Sequence, residues 1–71
     1  MNEKIKVAMD LATVLSVEEI AKQTYASPSQ ILLSLMKSRT GKMIYDDSTK
    51  LWTEGPSSIA EEFLNEQKEN K

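Results

Sequence analysis

The residues of this sequence best suited to chemistry are few, and their types restrict what they can do. Two adjacent carboxylate pairs, Asp46-Asp47 and Glu61-Glu62, could take part in acid/base work or hold a metal ion. Neighbouring carboxylates at a turn or a helix N-terminus also have ordinary structural uses, as turn formers and as partners of the helix dipole. The chain has no histidine and no cysteine, which removes imidazole bases, thiolate nucleophiles, Cys/His zinc sites and disulfides. Two glycines in all cannot make a glycine-rich phosphate loop. The expectation is therefore a binding protein that is not an enzyme and carries no cofactor or metal.

What remains is recognition chemistry, and it gathers on one segment. From Pro28 to about Ser38 a helical wheel sets Ile31, Leu32, Leu35 and Met36 on the core side. Gln30, Ser34 and Lys37 lie opposite, with Ser29 and Leu33 at the margins. Gln30 could pair bidentately with adenine, Ser34 could bond any base, and Leu33 could touch a thymine methyl. Lys37, Arg39, Lys42 and Lys50 could hold phosphates, and Ser27 and Ser29 complete the candidate DNA-contacting set. The same face, Leu33 above all, could instead meet a protein.

Elements must hold these groups in place. Asn2 can cap a first helix running to about Thr13, with Ile5, Ala8, Met9 and Ala12 along one side. Ser16-Val17-Glu18-Glu19 reads as a capping box, flanked by Leu15 and Ile20 at the positions of a hydrophobic staple, so a second short helix is expected from Val17 to about Thr24. After Tyr25-Ala26, a further box, Ser27-Pro28-Ser29-Gln30, opens a helix with proline at its first position. Gly41 is placed to end that helix in the left-handed conformation.

Beyond Gly41 the spacing predicts a β-hairpin of Lys42–Tyr45 and Lys50–Thr53 around the turn-forming Asp46-Asp47-Ser48-Thr49, with Ile44 opposite Leu51. Gly55-Pro56 breaks the chain. Ser58-Ile59-Ala60-Glu61 then opens a last helix, expected over 58–67, with Ile59, Ala60, Phe63 and Leu64 on one stripe and a frayed tail over 68–71. Two capped helices about two residues apart, followed by a hairpin, make a mainly α fold with a small β-hairpin. Its expected layout is a winged helix-turn-helix: three helices, a two-stranded wing and a C-terminal helix, in one domain spanning 1–71 with its core over 3–53.

The stretch Ser16 to Ile31 resembles the helix-turn-helix of DeoR-type repressors, and its layout is similar to the small PapI/FaeA-type fimbrial regulators. Ile20-Ala21, Ala26-Ser27, Ile31 and Gly41 carry the likeness, which covers roughly residues 15 to 53. Tyr25 stands where that family usually has glycine, and Leu32 and Leu33 stand where it often has arginine. The resemblance implies a transcriptional regulator that binds double-stranded DNA, with helix 28–38 in the major groove and 42–53 as the wing.

Charge and size set the alternatives. The formal net charge is −2, which is not what phosphate attraction favours. Pro28 to Thr53 holds four basic residues against two acids, while Glu54 to Lys71 holds five acids against two lysines. A protein-interaction module of phage or plasmid type is thus the alternative to a DNA-binding regulator. A 71-residue chain buries only about 60% of its unfolded surface, and small domains without staples often oligomerise. A homodimer or partner interface is expected at Met43, Tyr45, Trp52, Ile59, Phe63 and Leu64, under or along the last helix. Lys4 and Lys6 precede a mildly apolar run, Val7–Val14, but Asp10 interrupts it, so it reads as a helix rather than a signal sequence. With no run near the roughly 20 apolar residues a membrane span needs, a cytoplasmic protein without membrane contact is expected.

Overall fold

The computed structural model describes residues 2–69, and every regular element among them is helical. The order is α1 (Glu3–Thr24), α2 (Pro28–Lys37), α3 (Arg39–Ile44) and α4 (Pro56–Glu69). Two single 3-10 turns, Asp47–Thr49 and Leu51–Thr53, fill the span between α3 and α4.

Asn2 caps α1 as expected, its Oδ1 accepting the Lys4 N–H at 2.8 Å. The helix does not stop at Thr13, however. Ser16 is fully buried inside it and donates its hydroxyl to the Ala12 carbonyl at 2.6 Å, and Thr13 does the same to Met9 at 2.9 Å. The residue read as a cap satisfies itself one turn back instead. Met9, Ala12, Thr13, Ser16, Val17 and Ile20 thereby form one buried stripe along a 22-residue helix, and that continuous burial outweighs a capping signal worth about 1 kcal/mol.

Tyr25 closes α1 in the left-handed region (φ 63°, ψ 6°), its N–H donating to the Ala21 carbonyl at 3.3 Å. α2 then starts where the sequence places it, with the Ser27 Oγ accepting the Gln30 N–H at 3.3 Å and Pro28 at the first position. Its buried side is narrower than expected. Ile31 and Leu35 are buried, whereas Leu32 and Met36 are 43% and 47% exposed.

Ser38 ends α2 and begins α3 in one step, donating its hydroxyl to the Leu35 carbonyl at 2.6 Å and accepting the Gly41 N–H at 3.0 Å. Gly41 is therefore inside α3 rather than terminating α2. A Cβ at this position would stand 1.9 Å from the Leu35 carbonyl oxygen, so glycine is required by the close approach of α3 to the end of α2.

The expected wing is absent, and with it the winged helix-turn-helix as a description of the fold: no strand occurs among the described residues. Lys42, Met43 and Ile44 complete α3. Asp46 then accepts the backbone N–H and hydroxyl of Ser48 at 3.0 and 2.7 Å, which winds 47–49 into a turn. Lys50 takes φ 55°, a conformation no strand can hold. Local side-chain bonds of Asp46, Ser48 and Thr49 thus replace strand pairing.

The core gathers Met9 and Ile20 of α1, Ile31 and Leu35 of α2, Ile44 of α3 and Leu51, closed by Ile59, Ala60 and Phe63 of α4. Ile44 and Leu51 do share an interior, as the alternation requires, but from a helix and a 3-10 turn. α4 begins at Pro56, two residues before the expected cap, after Gly55 at φ 94°. It continues to Glu69. Of the tail expected to fray, 68 and 69 are helical, and 70–71 lie outside the described residues. No helix among the described residues is long and apolar enough to cross a membrane.

Candidate functional site

α2 presents its outer side to solvent between two shallow grooves, and Leu33, 62% exposed, lines both. The first groove, of about 650 Å³, lies where the end of α1, α2 and α4 meet. Ile20, Ile31, Leu33, Phe63 and Leu64 give it an apolar lining. Gln30, Ser34 and Gln67 add amide and hydroxyl groups, and among the described residues no charged side chain lines it. The second, of about 590 Å³, runs between α1 and α2, where Val14 and Val17 face Pro28, Leu32 and Leu33, with Glu18 as its one charged residue among those described.

The structure brings Gln30, Leu33 and Ser34 together on the first groove and places Ser29 on the second. Ser27 is used as the α2 cap. The candidate phosphate-holding residues do not share one element. Lys37 is the last residue of α2, Arg39 and Lys42 belong to α3, and Lys50 sits between the two 3-10 turns. Arg39 has Glu69 at 3.9 Å and Lys50 has Asp47 at 3.3 Å, while Lys50 also stands 5.9 Å from the centre of the Trp52 ring.

Of the residues expected at an interface, Ile59 is fully buried and Phe63 is 5% exposed, so contacts within the chain cover most of their surface. Leu64 is half-buried and lines the first groove. Met43, Tyr45 and Trp52 are half-buried against the core. The Trp52 indole N–H is buried without an acceptor among the described residues.

The Tyr45 hydroxyl donates to Asp10 at 2.6 Å and lies 3.3 Å from the Thr13 hydroxyl, and Lys6 pairs with the other Asp10 oxygen at 3.0 Å. Tyr45's bond, followed by Lys6's, holds the Asp10 carboxyl below its ordinary pKa. Burial and then the Asp10 bond raise that of the Tyr45 phenol. This network joins α1 to the end of α3 and opens onto neither groove.

The Asp46-Asp47 pair has structural work. Asp46 caps a turn, and its bonds from Ser48 lower its pKa. Glu61 and Glu62 are exposed on α4. No cluster of three or more metal-ligating side chains occurs among the described residues.

Glu66, which falls within the last helix expected from the sequence, is the carboxylate that matters most to the architecture. It is 5% exposed and accepts three bonds: from the Arg39 N–H at 2.8 Å, the Thr40 N–H at 2.9 Å and the Thr40 hydroxyl at 2.7 Å. Burial pushes its pKa up, but the Thr40 and Arg39 bonds outweigh it and leave the carboxyl below its ordinary value. α4 thus caps α3 and fixes its angle over the end of α2.

Two exposed features escaped sequence reading. Tyr25, 97% exposed, projects between Thr24 and Ala26, both of which line the first groove. Its place after the first expected helix was visible, but its exposure was not. Val7, Leu11 and Val14 of α1 are 55 to 62% exposed, and their spacing of four and three residues was the available signal. Comparisons with protein-family models, with curated proteins and with solved structures return no match.

Proposed function

We propose that the chain is a non-catalytic protein-interaction module that uses the outer face of α2 to seat an amphipathic helix of a partner protein. The observation that carries this reading is the uncharged apolar groove beside Leu33, continued by Leu64 and Phe63 of α4. A groove of this kind accepts apolar anchors at helical spacing, while Gln30, Ser34 and Gln67 can bond polar groups along its edge. Tyr25 supplies a large exposed aromatic side chain of the kind that concentrates binding energy at interfaces, and Leu33 adds exposed aliphatic surface beside the groove. The absence of cysteine suits work in a reducing cytoplasm.

The competing partner is duplex DNA, contacted by Gln30 and Ser34 with Lys37, Arg39, Lys42 and Lys50 on phosphates. Exposure of all six residues favours it. The net charge of −2 and the acidic neighbours of Arg39 and Lys50 favour a protein.

Affinity measurements on a complex reconstituted from purified partner and chain decide between them, with anisotropy on a random-sequence duplex at low salt run in parallel. Protein binding weakened about thirtyfold or more by Leu33→Glu, and left unchanged by Lys42→Ala, supports the groove. Duplex binding that falls steeply with salt, is weakened by Lys42→Ala and survives Leu33→Glu overturns it.

A further inference from the structure

α1 carries apolar residues on two opposite sides. At 100° per residue, the buried set Met9, Ser16 and Ile20 points one way, and Lys4, Val7, Leu11, Val14 and Glu18 form a stripe on the far side. A helix at the surface of a monomer places polar groups there. Here the middle three positions are aliphatic and 55 to 62% exposed. The spacing, 4, 7, 11, 14, 18, alternates three and four residues, which is the repeat of a helix-pairing seam.

The ends of the stripe say what covers it. Lys4 closes one end and Glu18 the other, about 21 Å apart along the helix. Among the described residues neither forms an ion pair, although Lys6 with Asp10 and Glu19 with Lys22 do. Two parallel copies would set Lys4 against Lys4 and Glu18 against Glu18. Antiparallel copies set each Lys4 beside the other chain's Glu18, with Leu11 near the two-fold axis. The stripe also stands as a ridge between apolar grooves: Val14 adjoins Leu32 on one side, and Leu11 and Leu15 adjoin Trp52 and Pro56 on the other. A ridge flanked by grooves matches a second copy of itself.

We infer that the chain forms an antiparallel homodimer through the outer face of α1, with Val7, Leu11 and Val14 as its apolar seam and Lys4–Glu18 pairs at both ends. This surface is not the last-helix interface expected from the sequence. It shares no lining residue with the first groove, although Val14 and Glu18 border the second one together with Leu33, and it turns the first groove into one of two copies on a single particle. A lone helix pair sits at the lower end of specific interfaces, near 1,200 Å² of buried area in total, so the dimer dissociates on dilution.

Sedimentation equilibrium of the full chain across the micromolar range tests this. Wild type is expected as a monomer–dimer equilibrium. Leu11→Glu raises the dissociation constant at least about thirtyfold without loss of helicity by circular dichroism, because Leu11 faces away from the core. Lys4→Glu and Glu18→Lys each weaken the dimer, and the double charge swap restores it. A chain that stays monomeric throughout overturns the inference, as does a dimer indifferent to Leu11→Glu. Single charge swaps without effect overturn the antiparallel pairing.

Discussion

Replacing Tyr25 by glycine should raise the stability of the chain. Tyr25 holds φ 63° at the end of α1, and its side chain is 97% exposed, so contacts within the chain recover almost nothing for the conformation. A non-glycine residue in the left-handed region costs about 1–2 kcal/mol. Glycine avoids that cost but gives back about 0.5–1 kcal/mol through the greater freedom of its unfolded chain. The midpoints of the two ranges leave a net gain of about 0.75 kcal/mol, which in a chain of this size raises Tm by roughly 3–6 °C. Tyr25→Ala is the control. Alanine meets the same left-handed penalty, so its Tm should stay near that of the wild type. Thermal and urea unfolding followed by circular dichroism measure both variants. A Tyr25→Gly protein no more stable than wild type, or no more stable than Tyr25→Ala, refutes the reasoning. Should the aromatic ring contact the partner, the stabilised variant will also bind more weakly, which places strain and recognition at one residue.

Glu66→Gln replaces a charged acceptor of three bonds by an amide that cannot offer two accepting oxygens, and should cost about 1.5–3 kcal/mol in urea unfolding. Because the Glu66 pKa is lowered in the folded state, its contribution is complete above the ordinary glutamate value of 4.5 and is lost as pH falls through the lowered value. The variant should accordingly lose part of the wild type's stability change below pH 4.5, and an unaltered acid limb would show that Glu66 does not carry it. Ser16→Ala separates two readings of α1: a cap would lose about 1 kcal/mol on truncation, whereas a buried serine bonded within its own helix should change by no more than about 0.5 kcal/mol in either direction.

The sequence is most legible where side chain and backbone act within one turn. Asn2 and Ser27 cap α1 and α2 where expected, and the stripe of Ile59, Ala60, Phe63 and Leu64 faces or borders the core. It is least legible where a distant contact decides. Ser16 carries the same local signal as Ser27, and only burial against the other helices converts it from a cap to an interior residue. Ser38 and Gly41 read as the approach to a wing because the carboxylate that caps α3 comes from Glu66, 26 residues beyond Thr40. Alternation over Lys42–Tyr45 and Lys50–Thr53 puts Ile44 and Leu51 on a common face of a hairpin, and a short helix and a 3-10 turn bury the same two residues without strand pairing. Of the candidate surface, Gln30 and Ser34 were legible as an outer helix face, with Leu33 at its margin. The groove beside them was not, since Leu64 and Gln67 reach it from the other end of the chain.

The pairing of α1 with α4 has a consequence for how the protein is made. Its first helix packs more extensively on its last than on any other element, and α3 has its N-terminus held by Glu66. While the chain is still being synthesised, α1 through α3 can emerge from the ribosome and pack on one another, but the core they share stays open on the side that α4 covers until the segment around Phe63 and Glu66 follows. Completion of the core therefore waits for almost all of the described chain to leave the exit tunnel. Until then the nascent polypeptide displays Met9, Ile20, Leu35 and Ile44 as an open apolar surface, the kind of segment that chaperones and proteases survey first.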